Sequence, residues 1–241
     1  MDKLHLGEHI SRQFNTELEE VRSQVLHMGG IVEEQLSNAL KVLVSDDKSL
    51  AKDVISADAK VNALEVDIDE ECTRIVALRQ PAASDLRLVM TVVKTINELE
   101  RIGDEAKRIA KMSSDELDGI LSAEMRTELT YMGALVRDML RQVLDGFART
   151  DVDTAVEVVK SDKAVDKRYK KIIKQLIKQM VDDPESIPSV VNIMWAVRSL
   201  ERLGDRCQNI AEHIIYMALG TDIRHVKLDD VLAEIESSGE A

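Results

Sequence analysis

Three prolines are all that interrupt 241 residues, and they stand at Pro81, Pro184 and Pro188. Proline opens or ends a helix and sits badly inside a central strand. The stretches between these breakers are rich in Ala, Leu, Glu and Lys, which favour helix, while aromatics make up only 2% of the chain. The pattern predicts an all-α protein with helices at about 10–45, 47–78, 83–112, 122–149, 151–182 and 186–220. At about 1.5 Å per residue each spans roughly 40–50 Å, and the short connections make neighbours antiparallel. Asp46, Asp47 and Asp151 are placed to cap the second and fifth helices. Pro81 stands before the third helix, and Pro184 with Pro188 before the sixth.

The prolines thus occupy one relative place in two halves, and the rest of the chain repeats as well. Met28-Gly29-Gly30-Ile31-Val32 returns as Met132-Gly133-Ala134-Leu135-Val136, an offset of 104. Asp58, Val61 and Asn62 meet Asp162, Val165 and Asp166 at the same offset. Beyond the proline loop the offset is 101, and Leu99-Glu100-Arg101-Ile102-Gly103-Asp104 meets Leu200-Glu201-Arg202-Leu203-Gly204-Asp205. The chain reads as two tandem, similar three-helix bundles, at about 10–115 and 120–225, with a weakly ordered acidic tail at 226–241.

Each bundle shows its seam in its last helix. Leu88, Val92, Thr95, Leu99, Ile102, Ala106 and Ile109 advance by steps of four and three, as do Ile193, Ala196, Leu200, Leu203, Cys207, Ile210 and Ile214. That heptad stripe is what a left-handed bundle requires. Each half is therefore expected to close its own core and fold alone. The methionines and Trp195 are assigned to the core.

Charge and composition narrow the function. A net charge of −13 repels nucleic-acid backbones and anionic lipid, although local basic patches remain compatible with it. No stretch approaches the roughly 18 apolar residues of a membrane span. The N-terminus, Met1 to His5, lacks a signal-peptide run, so a cytoplasmic protein is expected. Cys72 and Cys207 lie inside apolar helical patterns and read as small core residues. The histidines are scattered, and there is no Glu-x-x-His motif, phosphate loop or nucleophile elbow. Catalytic residues are not expected.

The carboxylates remain. Glu100 and Asp104 lie one turn apart on one face, and Glu201 and Asp205 repeat them. Like charges at this spacing cost an exposed helix only a few tenths of a kcal/mol, so one such pair would carry no weight. Its recurrence beside a mid-helix glycine does, because Gly103 and Gly204 each sacrifice about 1 kcal/mol of helix propensity. Each glycine implies a close approach by another helix or a ligand. Asp162 and Asp166 form a further four-spaced pair on the fifth helix, where the second helix has Asp58 and Asn62. Side by side, such helices would converge oxygen ligands suited to Mg²⁺, Mn²⁺ or Ca²⁺, with iron or zinc as further candidates. The competing reading is a set of salt bridges with Arg101 and Arg202. A carboxylate-bridged metalloenzyme is the alternative activity.

Both copies of L-E-R-[IL]-G-D, the stretch Arg79-Gln80-Pro81-Ala82-Ala83-Ser84-Asp85-Leu86-Arg87, and Asn209-Ile210 resemble the PhoU family over about residues 10–225. The resemblance implies a non-enzymatic negative regulator of phosphate uptake and of the phosphate-starvation response. It implies an adaptor, a homodimer, between a phosphate-specific ABC transporter and its sensor histidine kinase, peripheral to the inner membrane through those partners. It also implies metal at the paired motifs: Glu100, Asp104, Glu201 and Asp205, helped by Asp58, Asp162 and Asp166. Asn62 stands where the second half has Asp166, and Arg108 and Lys111 continue the first face where Asn209 and Glu212 continue the second. The second site is expected to be the tighter.

Overall fold

The structure is a computed structural model that describes residues 12–45, 48–113 and 121–224. The six helices are α1 (Arg12–Ser45), α2 (Ala51–Arg79), α3 (Ala83–Met112), α4 (Ala123–Arg149), α5 (Val152–Asp182) and α6 (Ile187–Leu219). Single 3₁₀ turns, Lys48–Leu50 and Pro184–Ser186, lead into α2 and α6. No strand occurs among the described residues. Asp46, Asp47, the expected boundary near 115–120 and the acidic tail at 226–241 lie outside them.

Local chemistry explains the ends. Asp151 caps α5 with both oxygens, accepting from the Thr154 backbone at 3.1 Å and from its hydroxyl at 2.7 Å. The Ser122 hydroxyl accepts from the Met125 N–H at 3.2 Å and so starts α4. Gln80 takes a left-handed φ of 50° to end α2, and Pro81 follows it. Pro188 lies in the first turn of α6, where its missing N–H costs nothing.

In each half the three helices pack on one another, giving two similar three-helix bundles. Both heptad stripes are buried along their whole length. Cys72 and Cys207 are buried and free, and burial pushes the Cys72 thiol up to about 12, so neither is a reactive thiolate. Trp195 is a correction: it is 54% exposed, because it lies on the face of α6 opposite the Ile193–Ala196–Leu200 stripe. Most of the described methionines are buried or half-buried, but Met90 is 42% exposed.

The halves are not independent. Their buried residues form one continuous cluster, with α3 packed on α6 and α1 on α4. The second contact has internal two-fold symmetry: a Cβ on Gly29 would stand 2.4 Å from Leu144 Cδ2, and one on Gly133 would stand 2.6 Å from Leu40 Cδ2. Leu40 and Leu144 are themselves 104 apart, so each glycine receives the other half's copy of one leucine. Polar groups cross as well. Arg22 donates to the Ala148 carbonyl at 2.8 Å, and Arg126 to the Val44 carbonyl at 2.9 Å. The expectation that each half closes its own core is therefore replaced by one core shared between them.

One ion pair holds the end of the first bundle. Glu17, 5% exposed, accepts both N–H groups of Arg79 at 2.7 and 2.9 Å, and Arg74 lies 3.7 Å away. The hydrogen bonds from Arg79 outweigh desolvation and hold the Glu17 carboxyl below its ordinary 4.5. Arg79→Ala leaves a buried carboxylate with only the partly exposed Arg74 and Gln13 as partners, and about 2 kcal/mol of stability is expected to be lost, less than for a fully orphaned buried charge. Because the native pKa is lowered, the pair's contribution is complete above pH 4.5 and fades as pH falls through the native value. Urea unfolding of wild type and variant at pH 7 and pH 3 checks this, with the difference shrinking at pH 3.

Candidate functional site

α2 against α3, and α5 against α6, carry the repeated carboxylates. The glycines explain how closely these helices meet. A Cβ on Gly204 would lie 3.0 Å from Asp162 Oδ1 and 3.3 Å from Val165 Cγ1. A Cβ on Gly103 would lie 3.0 Å from Gln35 Oε1 and 3.6 Å from Val61 Cγ1. Val61 and Val165 are repeat equivalents, so each glycine admits the same valine of the neighbouring helix. Of the two expected causes, helix approach is the one observed.

In the second half the expected residues lie along the contact between α5 and α6. Asp162 and Asp166 on α5 face Glu201 and Asp205 on α6 closely enough to perturb one another. Burial first, then the charges of Asp205, Asp166 and Glu201, push the Asp162 carboxyl from its ordinary 3.8 up to about 6. Burial and Asp166 raise Asp205. Glu201 is 8% exposed, and burial and Asp205 raise it although Arg198 donates to its Oε1 at 2.5 Å. Its other oxygen, Oε2, is buried without a hydrogen-bond partner. Asp166 meets Lys170 at 3.5 Å.

The first half is looser and partly neutralised. Burial, then Asp104, Glu65 and Asp58, raise Glu100. Asp58 is held by Lys107 at 2.5 Å, and the same ammonium lies 3.6 Å from Asp104, whose side chain is 52% exposed. Asn62 is exposed. Lys107 was missed at the level of sequence, yet the repeat contained the signal: the residue 101 further on is the neutral Gln208. Glu65, also missed, is raised by burial and by Asp69 and lies near Arg101 and Asp104. Its counterpart in the second half is Tyr169, over whose ring Arg198 sits at 5.6 Å.

The arginines of the repeated motif make no ion pair with the clusters among the described residues and offset their charge only in part. Arg202 reaches across to Glu105 at 3.2 Å, joining α6 to α3, and Arg101 makes no ion pair among the described residues. Asn209 also turns across, donating to Glu98 at 3.3 Å beside Arg206, so it does not serve the second cluster. Glu212 accepts from Gln208 at 2.9 Å and still adds negative charge near Asp162. Arg108 pairs with Glu105. Among the described residues no three His, Cys, Asp or Glu side chains are drawn together as a ready-made metal site.

The raised carboxylates carry a stability cost with a definite sign. Asp162 binds its proton more tightly folded than unfolded, so stability falls as pH rises from about 4 to about 6. In chelator-treated protein, Asp162→Asn is expected to gain about 1 kcal/mol at pH 7, after discounting for partial exposure, and nothing at pH 4. Denaturant titrations at the two pH values measure it. An unchanged or lowered stability at pH 7 would show that the cluster is not under repulsion.

The same sequence pattern and fold occur in known proteins. The profile of the PhoU domain matches twice, over residues 25–113 and 129–214. The chain belongs to the PhoU family. It is 49% identical over 240 residues to the phosphate-specific transport system accessory protein PhoU of Escherichia coli K12, covering 98% of this chain and 99% of that one. It is 46% identical over 241 residues to the PhoU homolog of Pseudomonas putida, covering 100% of this chain and 94% of the relative. The crystal structure of PhoU from Pseudomonas aeruginosa superposes with a TM-score of 0.83 at 47% identity, covering 87% of this chain and all of that one. A PhoU structure from Streptococcus pneumoniae gives 0.81 at 33% identity over 87% of this chain and 99% of that one. The Escherichia coli and Pseudomonas putida relatives are named accessory proteins of the phosphate-specific transport system, and the Streptococcus pneumoniae protein a phosphate transport system regulatory protein.

Proposed function

We propose that this PhoU-family chain is a negative regulator of phosphate uptake and of the phosphate-starvation response. It acts in the cytoplasm as a homodimeric adaptor between a phosphate-specific ABC transporter and its sensor histidine kinase. The observation that carries the reading is identity near one half, sustained over almost the whole length, to accessory proteins of phosphate transport. No helix among the described residues is long and apolar enough to cross a membrane, so its influence on transport is exerted by binding.

Metal belongs to the same proposal, and the two clusters fit it unequally. The second offers four mutually repelling carboxylates and one buried, unpartnered oxygen, a donor set suited to a hard divalent cation. Asp162, Asp166, Glu201 and Asp205 would hold the ion, once Glu201 turns from Arg198. The ion would supply positive charge that relieves their repulsion and fixes α5 against α6. In the first cluster Lys107 already supplies a positive charge to Asp58 and Asp104, so Glu100 and its neighbours fit an ion less well.

Affinity capture of the tagged protein from cells grown in high and low phosphate tests the adaptor reading. Transporter and kinase should both be recovered, in proportions that change with phosphate. Recovery of neither from membranes solubilised under mild conditions would contradict it.

A further inference from the structure

In a chain of net charge −13, α5 carries eight Lys and Arg against five Asp and Glu. Its repeat counterpart α2 carries four against seven. Lys163, Lys167, Lys170 and Lys174 stand where Ala59, Ala63, Val66 and Glu70 stand 104 positions earlier. Both helices pack in the same way, so the fold does not require these lysines. Their spacing puts all four on one outward face, opposite the buried Val165, Ile172 and Leu176, and all four are exposed. Lys163, Lys167 and Lys174 make no ion pair among the described residues, and Lys170 has only the 3.5 Å contact with Asp166. Unpaired cations in a row are unexpected on so acidic a protein, where carboxylate partners are abundant.

An exposed aromatic flanks the same stretch on one side: Tyr131 on α4 is 51% exposed and has the Arg168 guanidinium 4.2 Å from its ring centre. On the α6 side the Arg198 guanidinium sits 5.6 Å from the ring of Tyr169. The lysines border an open depression of about 530 Å³ rather than an enclosed pocket, which favours a broad surface over a small ligand. Lysine is depleted in the cores of protein–protein interfaces. Lysine together with Tyr is instead the composition found at the headgroup level of membranes.

We propose that the outer face of α5, flanked by Tyr131, docks this protein on an anionic phospholipid surface. The lysine ammoniums lie among the headgroup phosphates, and the Tyr131 ring sits at the margin of the contact. Asp182, Asp183 and Glu185 at the tip of the α5–α6 hairpin are repelled by anionic headgroups, which confines the contact to the lysine stretch. The overall negative charge does not prevent this, because charges beyond roughly 8–10 Å are screened at physiological salt while the face in contact is not. The proposal does not depend on any transporter or kinase.

Co-sedimentation of the full chain with phosphatidylcholine vesicles, with and without phosphatidylglycerol, tests it in the absence of partner proteins. Binding is expected only to the anionic vesicles and is lost in high salt. Lys167→Glu with Lys174→Glu should weaken it by roughly 30-fold or more, taking about 1 kcal/mol per lysine. Lys52→Glu with Lys60→Glu makes the same charge change on α2 and should leave binding near wild type. No binding to anionic vesicles, or equal weakening by both double variants, would each overturn the proposal. Binding of soluble polyphosphate or an acidic protein without vesicle binding would overturn it too.

Discussion

A chain ending at residue 113 is expected to remain helical by circular dichroism yet lose cooperative unfolding and bind a hydrophobic dye. The full chain should unfold in one transition. The seam of α3 is satisfied within the first bundle, but its flank is not. Glu98 and Glu105, 13% and 10% exposed at the side chain, draw Arg206 and Arg202 from α6. Thr91 donates to the His213 carbonyl, and Arg87 to the Met217 carbonyl. Cutting the chain leaves Glu98 without these partners and opens the apolar contact that Gly29 makes with Leu144. These losses fall on a margin of only about 5–15 kcal/mol for a whole domain, so together they are expected to remove cooperative folding. A fragment with a sharp transition near that of the whole protein would mean that the shared core contributes little.

The second large effect concerns the carboxylates. Glu201→Ala with Asp205→Ala is expected to remove more than roughly half of the divalent metal retained through purification, because a site built from hard oxygen donors loses affinity steeply when its carboxylates go. Glu100→Ala with Asp104→Ala should remove less, since Lys107 already offsets the charge of Asp58 and Asp104. Neither variant should unfold, because losing the burial cost and the repulsion that raise Glu201 and Asp205 offsets the lost ligands in metal-free protein. Elemental analysis by mass spectrometry decides it. Equal metal in wild type and both variants, or none in wild type, would contradict the assignment.

The helices were legible because their ends carry local chemistry. Asp151 and the prolines mark boundaries without help from the rest of the fold, and the expected and observed α3 coincide at 83–112. The seams were legible because a heptad stripe has one physical use. What periodicity does not encode is the partner of each flank. It marks Trp195 as apolar but not that it lies outside the stripe, and the repeat shows Arg202 but not that it reaches Glu105 in the other half. The two carboxylate pairs look alike in sequence. Their inequality comes from Lys107 against Gln208, three positions beyond Asp104 and Asp205, and from Glu65 against Tyr169 on the neighbouring helix; Lys107 reaches Asp58, and Glu65 comes near Asp104, only when the helices pack. The basic face of α5 was hidden by the net charge of the whole chain.

The central claim is that this protein restrains the phosphate-starvation response. The most direct measurement is a phosphate-starvation promoter fused to a reporter, read in phosphate-rich medium in a strain lacking the protein. The promoter should be fully on there, silent when the wild-type chain is restored, and partly on when Glu201→Ala with Asp205→Ala replaces it. A deletion strain that keeps the promoter silent in high phosphate would contradict the account.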